Sequence, residues 1–205
     1  MKILLVLLTV ILYNQIYSQY KVDTIIKNEA YSSYINLELK QPLYVKYLLY
    51  RGGGDCERSD KWINDTDIEL LTEKQYRGSK YDKGHLANAE DFAYDCHLDS
   101  LTFLFYNRIP QTPRLNRGAW KSDEDSIRKI SQNDTLIVYC GGYWDSTSLI
   151  VNKMLIPIIC WKVVYDINKK RVIYCRTYTN TLNPIKEDML LYELERKIGY
   201  ILDIE

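Results

Sequence analysis

Apolar and polar positions alternate through PLYVKYLLY, residues 42–50, where Leu43, Val45, Tyr47 and Leu49 fall on one side of a two-residue period. That period predicts a strand. RGGGD (51–55) should end it, because three glycines free the backbone from side-chain restriction. LIVYCGG (136–142) predicts a buried strand with a glycine stop, and IPIICWKVVYD (156–166) and RVIYCRTY (171–178) predict a hairpin around INKK. Two segments suit helices instead. Residues 122–131 open with Ser and three acids and close with Arg128 and Lys129, which matches charge to both helix ends. A last helix is expected from Asn183-Pro184, cap then first-turn proline, with Ile185, Met189, Leu194 and Ile198 on one stripe. Strands and helices mix without regular βαβ alternation, so the expected class is α+β.

The first nineteen residues read differently. Met1-Lys2 gives a positive start, Ile3 to Leu12 are apolar, and the stretch to Gln19 is more polar. This is the pattern of a secretory signal, too short to span a bilayer. The expected organisation is therefore a signal at 1–19 and one domain at 20–205, secreted or periplasmic, with no membrane partner after cleavage. The rest has no repeat or composition break, and the 205-residue chain suits a single core. Charge adds little: removing Lys2 leaves 26 basic against 27 acidic residues, so any polyanion must meet a local basic patch. All five Cys lie beyond the signal, where disulfides can form, and the odd count leaves at least one unpaired. No CxxC spacing suggests zinc. Nineteen Tyr are a compositional bias that suits half-wet sheets.

Candidate chemistry gathers in two stretches. YDKGHLANAEDF (81–92) holds His85, one of only two histidines, directly after Gly84. FYNRIPQTPRLNRGAWKSDED (105–125) carries Arg108, Arg114, Arg117 and Lys121 with no acid between the first and last, which predicts a local positive patch. Asp82-Lys83-Gly84-His85-Leu86-Ala87, Asp91-Phe92, Asn107-x-x-Pro110-Gln111, Asn116-x-Gly118-x-Trp120 and Glu124 follow in order. This ordered set resembles the DNA/RNA non-specific endonucleases of the ββα-metal class, over residues 81–128.

The resemblance implies a central antiparallel sheet flanked by helices, with a ββα-metal catalytic unit. Together with the signal pattern, it implies a secreted, metal-dependent endonuclease that cuts DNA and/or RNA with little sequence preference. His85 would be the general base, since an imidazole is partly neutral near neutral pH and can accept a proton from water. Asn116 would be the metal ligand and Glu124 would hold metal-bound water. One neutral carbonyl suffices for Mg²⁺, or another divalent cation such as Mn²⁺, because such an ion keeps several waters. Lys83, Arg128 and Arg117 would meet substrate, while Asp82, Gly84, Asn107 and Gln111 shape the site. Lys83 departs from the family's usual Arg and loses its planar fork, and Asn88 replaces a usual proline. Trp120 is expected in the core, and His97 matches no family position. Alternatives on the same residues are a phosphodiesterase for small substrates, an exported nuclease toxin with an inhibitor protein, and a catalytically impaired nucleic-acid-binding module.

Overall fold

The computed structural model describes residues 20–57, 59 and 61–204, so the expected signal segment lies outside the described residues. In chain order the strands are β1 (Thr24–Lys27), β2 (Ser32–Asn36), β3 (Gln41–Leu49), β4 (Asp82–His85), β5 (Arg108–Gln111), β6 (Leu136–Tyr143), β7 (Ile150–Val151), β8 (Met154–Leu155), β9 (Ile159–Asp166), β10 (Arg171–Thr179) and β11 (Lys186–Asp188). The α-helices are α1 (Glu73–Tyr76), α2 (Cys96–Leu101), α3 (Lys121–Ile130) and α4 (Leu191–Ile198). Seven strands form one sheet in the order β1-β2-β3-β6-β9-β10-β11, with every neighbouring pair antiparallel. The α+β expectation holds, and no helix among the described residues is long and apolar enough to cross a membrane.

The alternating face of β3 packs inward as its period demands: Leu43, Val45, Tyr47 and Leu49 are all buried. The predicted hairpin is β9–β10. Three expectations need correction. Gly141 and Gly142 lie inside β6 and do not end it. A Cβ on Gly141 would stand 2.4 Å from the Leu43 carbonyl, and one on Gly142 would stand 2.5 Å from the Trp144 ring. Close packing selects these glycines. The last helix starts at Leu191, after Leu190 as cap, and not at Asn183-Pro184. Residues Lys186–Asp188 pair instead with Tyr178, Thr177 and Arg176 at the sheet edge, and tertiary pairing overrides the local cap signal. The acids at 123 and 124 do not open a free helix end. A wide, π-type turn at Leu115–Trp120, kinked at Gly118, runs straight into α3.

The two candidate stretches sit on a small unit docked against this sheet. β4 and β5 pair antiparallel, and the wide turn and α3 follow β5. Asn180, just past β10, fastens the unit: its Oδ1 accepts from Thr112 N at 2.8 Å, and its Nδ2 donates to the Pro110 and Pro157 carbonyls at 2.9 Å each. Asp123 fastens α3 by accepting from Tyr178 Oη at 2.5 Å and pairing with Arg176 and Lys186 at 3.2 Å each. One disulfide joins Cys56 to Cys96, while Cys140, Cys160 and Cys175 are free thiols. That bridge ties the loop after β3 to α2 across 40 residues. Opening it by Cys56→Ser with Cys96→Ser should cost about 4 kcal/mol through the entropy of the freed unfolded chain. Urea denaturation of the two proteins checks this.

Candidate active site

His85 ends β4, where it stands opposite Arg108, and its backbone is held from below. Leu86 N donates to the Asn107 carbonyl at 3.0 Å. The Asn107 side chain, fully buried, accepts from Ala87 N and donates to the Ala87 and Thr102 carbonyls, each at 2.8 Å. Asn107 therefore clamps the two residues that follow the histidine. Gly84 has a steric reason: a Cβ there would lie 2.3 Å from the buried Gln111 amide, which packs beside the Cys160 thiol. Asn107, Gln111 and Gly84 thus shape the strand pair. The His85 ring is only 9% exposed, between Trp62 with centroids 4.5 Å apart and the edge-on Phe103 at 4.8 Å.

Across a cleft of about 720 Å³, the wide turn presents Asn116 and Arg117. Both are fixed by one carboxylate on β4. Asp82 Oδ2 accepts from Asn116 Nδ2 at 3.0 Å, and Arg117 grips the same carboxylate with two hydrogen bonds of 2.8 and 2.7 Å. Burial alone would raise the Asp82 pKa, but hydrogen bonds from Arg117 and Asn116 outweigh it and hold the carboxyl below its ordinary range. The amide nitrogen of Asn116 is thereby committed, and its carbonyl oxygen is the atom left for a cation.

Glu124 lies on α3 at the cleft wall, 6% exposed, with Lys162 Nζ at 3.6 Å. Burial pushes its carboxyl above the usual range despite Lys162, and nearby Asp91 pushes the same way. The described residues hold no group of three or more His, Cys, Asp or Glu able to cage an ion. A hard cation here would rest on the Asn116 oxygen, with Glu124 holding its water, and the oxygen donors suit that chemistry.

The expected cations are more occupied than the sequence implied. Arg108 is 1% exposed and reaches Glu73 Oε1 at 2.5 Å, so it belongs to the interior. Lys83 donates to the other Glu73 oxygen at 2.9 Å. Burial would raise the Glu73 pKa, yet hydrogen bonds from Arg108 and Lys83 win and lower it. Arg128 reaches Asp91 at 2.9 Å, Asp125 at 3.0 Å and Asn88 at 3.3 Å. Lys121 pairs with Asp125 and Arg117 with Asp82, so of the four basic residues between 108 and 121 only exposed Arg114 has no such carboxylate pairing among the described contacts. The simple positive patch is corrected to a set of paired charges. The cleft lining balances Lys83, Arg117, Lys121 and Arg128 against Asp82, Glu90, Glu124 and Asp125.

Trp120 is buried, with Lys162 Nζ 4.0 Å above its ring, as expected of a core residue. His97 lies on the surface, 3.2 Å from Glu29, away from the cleft lining. Sequence reasoning missed Trp62, Glu73 and Lys162, and it treated Asn88 as a minor change. Asn88 in fact caps the short 3₁₀ turn Ala89–Asp91 and reaches both Arg128 and Glu124. Trp62 and Glu73 carried no local signal. Asn107→Ala removes three buried hydrogen bonds, leaves their backbone partners unsatisfied, and should cost about 3 kcal/mol in urea unfolding.

Comparison with known proteins shows the family and the fold. The chain is 33% identical to a nuclease of Nostoc sp. (strain PCC 7120 / SAG 25.82 / UTEX 2576) over 116 residues, covering 54% of this chain and 42% of that protein. It is 33% identical to the mitochondrial endonuclease G of Homo sapiens over 94 residues, covering 45% of this chain and 32% of that one. The matched regions thus span less than half the length of these relatives. A solved complex of EndoG with EndoGI shares the fold at a TM-score of 0.72 and 19% identity, over 89% of this chain and 86% of that one. The family profile matches residues 11–199, and the chain belongs to the DNA/RNA non-specific endonuclease family.

Proposed function

We propose that the protein is a metal-dependent endonuclease that hydrolyses phosphodiester bonds of DNA and/or RNA with little sequence preference. The observation that carries this reading is the meeting of His85, Asn116 and Glu124 around one cleft with four cations. His85 accepts a proton from the attacking water, from a ring whose position is set by its aromatic neighbours. Asn116 and Glu124 would hold a divalent cation, Mg²⁺ or Mn²⁺. Such an ion supplies charge neutralisation at the phosphate and at the departing oxygen. Arg117, Lys83 and Arg128 meet backbone phosphates, which position a substrate without reading its sequence. The balanced lining makes an added divalent charge the natural counterpart of a polyanion in this cleft.

Export is part of the same proposal. The Cys56–Cys96 bridge supports an oxidising compartment, where such bonds persist. The EndoG–EndoGI complex concerns inhibition of EndoG. It supports an inhibitor protein as a partner of this chain.

Incubation with supercoiled plasmid and with single-stranded RNA tests the reading. Degradation should require Mg²⁺ or Mn²⁺ and stop with chelator, and His85→Ala should lower kcat about 100-fold or more, the scale of a lost general base. Asn116→Ala should be similarly impaired and need more metal for half-maximal rate. Activity that survives His85→Ala sinks the assignment, and binding without turnover at every divalent ion tried would make this a nucleic-acid-binding module.

A further inference from the structure

His85 does not stand alone in its groove, and what presses on it comes from outside the strand–helix unit. Trp62 belongs to the long connection between β3 and α1, yet its indole lies 4.5 Å from the imidazole, centroid to centroid, at 43°. The connection is held at both sides of this contact. Upstream, Cys56 is bonded to Cys96. Downstream, Ile63 N donates to the Phe103 carbonyl at 3.1 Å, and Phe105 N donates back to Ile63 at 3.0 Å. The two rings that bracket His85, Trp62 and Phe103, are therefore tied to each other through backbone hydrogen bonds. Trp62 is also the single tryptophan of four outside the buried core. Its ring meets the Arg108 guanidinium at 4.9 Å and Lys83 Nζ at 5.7 Å.

We propose that Trp62 is a positioning residue for the reaction: its flat indole fixes the plane of the His85 imidazole so that the accepting nitrogen faces the attacking water. This rests on the reading of His85 as general base. The imidazole turns about a broad, shallow second torsion, so its own rotamer preferences do not fix the ring plane. A base must sit within hydrogen-bond reach of the proton it takes, and misplacement of about 1 Å can cost about 100-fold in rate. Phe103 meets the imidazole edge-on at 83°, which leaves the indole as the broader wall. A tilted ring contact of this kind acts on kcat, because the indole orients the base and leaves phosphate binding to the cations. An effect transmitted through Lys83 would instead raise KM.

Full-length wild type, Trp62→Ala, Trp62→Leu, Trp62→Phe and His85→Ala are compared for kcat and KM on plasmid at saturating Mg²⁺, with near-ultraviolet circular dichroism to confirm folding. Trp62→Ala and Trp62→Leu should lower kcat about 10- to 100-fold with KM within about twofold, and Trp62→Phe should return kcat to within about threefold of wild type. Leu keeps the apolar bulk that packs the connection, so a folded Leu variant carries the test if the Ala variant unfolds. The proposal is overturned if Leu performs as well as Phe, since bulk alone would then suffice. It is equally overturned if the variants raise KM at unchanged kcat. An inactive His85→Ala beside a fully active Trp62→Leu removes only this inference, whereas an active His85→Ala removes the functional reading beneath it.

Discussion

One carboxylate joins the two halves of the cleft. Asp82 stands on a strand, and both residues that it grips, Asn116 and Arg117, stand on the wide turn before α3. Asp82 and Asn116 are 34 residues apart in sequence. A shared acceptor makes their relative position a matter of hydrogen-bond length, not of loop conformation. It also sorts the amide of Asn116 into a committed nitrogen and an available oxygen. Because Asp82 is held well ionised by the same partners, this clamp persists through neutral pH and weakens only as acidity passes below the ordinary carboxylate range.

Behind the cleft the molecule tolerates an arrangement that stability alone does not favour. Asp91 and Lys162 are almost wholly buried, Glu124 nearly so, and Arg128 lies among them. Two acids and two bases balance, but each charge lost several kcal/mol of hydration on entering the interior, on the order of what its partners return. Tyr47 adds a hydrogen bond to Asp91 at 2.8 Å. Apolar residues of the same shape would fill this space at no such cost. The buried charges make sense as supports for Glu124 and Arg128, whose heads reach the cleft while their stems stay fixed.

The motif residues were legible through the family resemblance carried by residues 81–128, which named His85, Asn116 and Glu124 together. Their meeting around one cleft is seen only in the folded chain. Trp62 and Glu73 reach the site from a connection without periodicity, and only the folded chain shows them beside His85 and Lys83. Asn180 is 70 residues from Pro110, whose carbonyl it fastens. The errors have a common origin. Asn183-Pro184 and the acids at 123 and 124 carry proper helix-start chemistry, but sheet pairing claimed the first and tertiary ion pairs claimed the second. The basic patch failed likewise, because residue type reveals charge but not the carboxylate that will meet it.

The displaced helix start leaves its own mark on the sheet. β11 is three residues long, Lys-Glu-Asp, and all three are exposed. It covers the outer edge of β10 and offers little further backbone for another strand, while its three exposed charged side chains oppose the approach of an apolar one. In a chain built so largely of β structure, a misread cap is thus the segment that blunts the sheet. It works as protection against edge-to-edge aggregation, a hazard that would otherwise grow whenever the protein is made at high concentration.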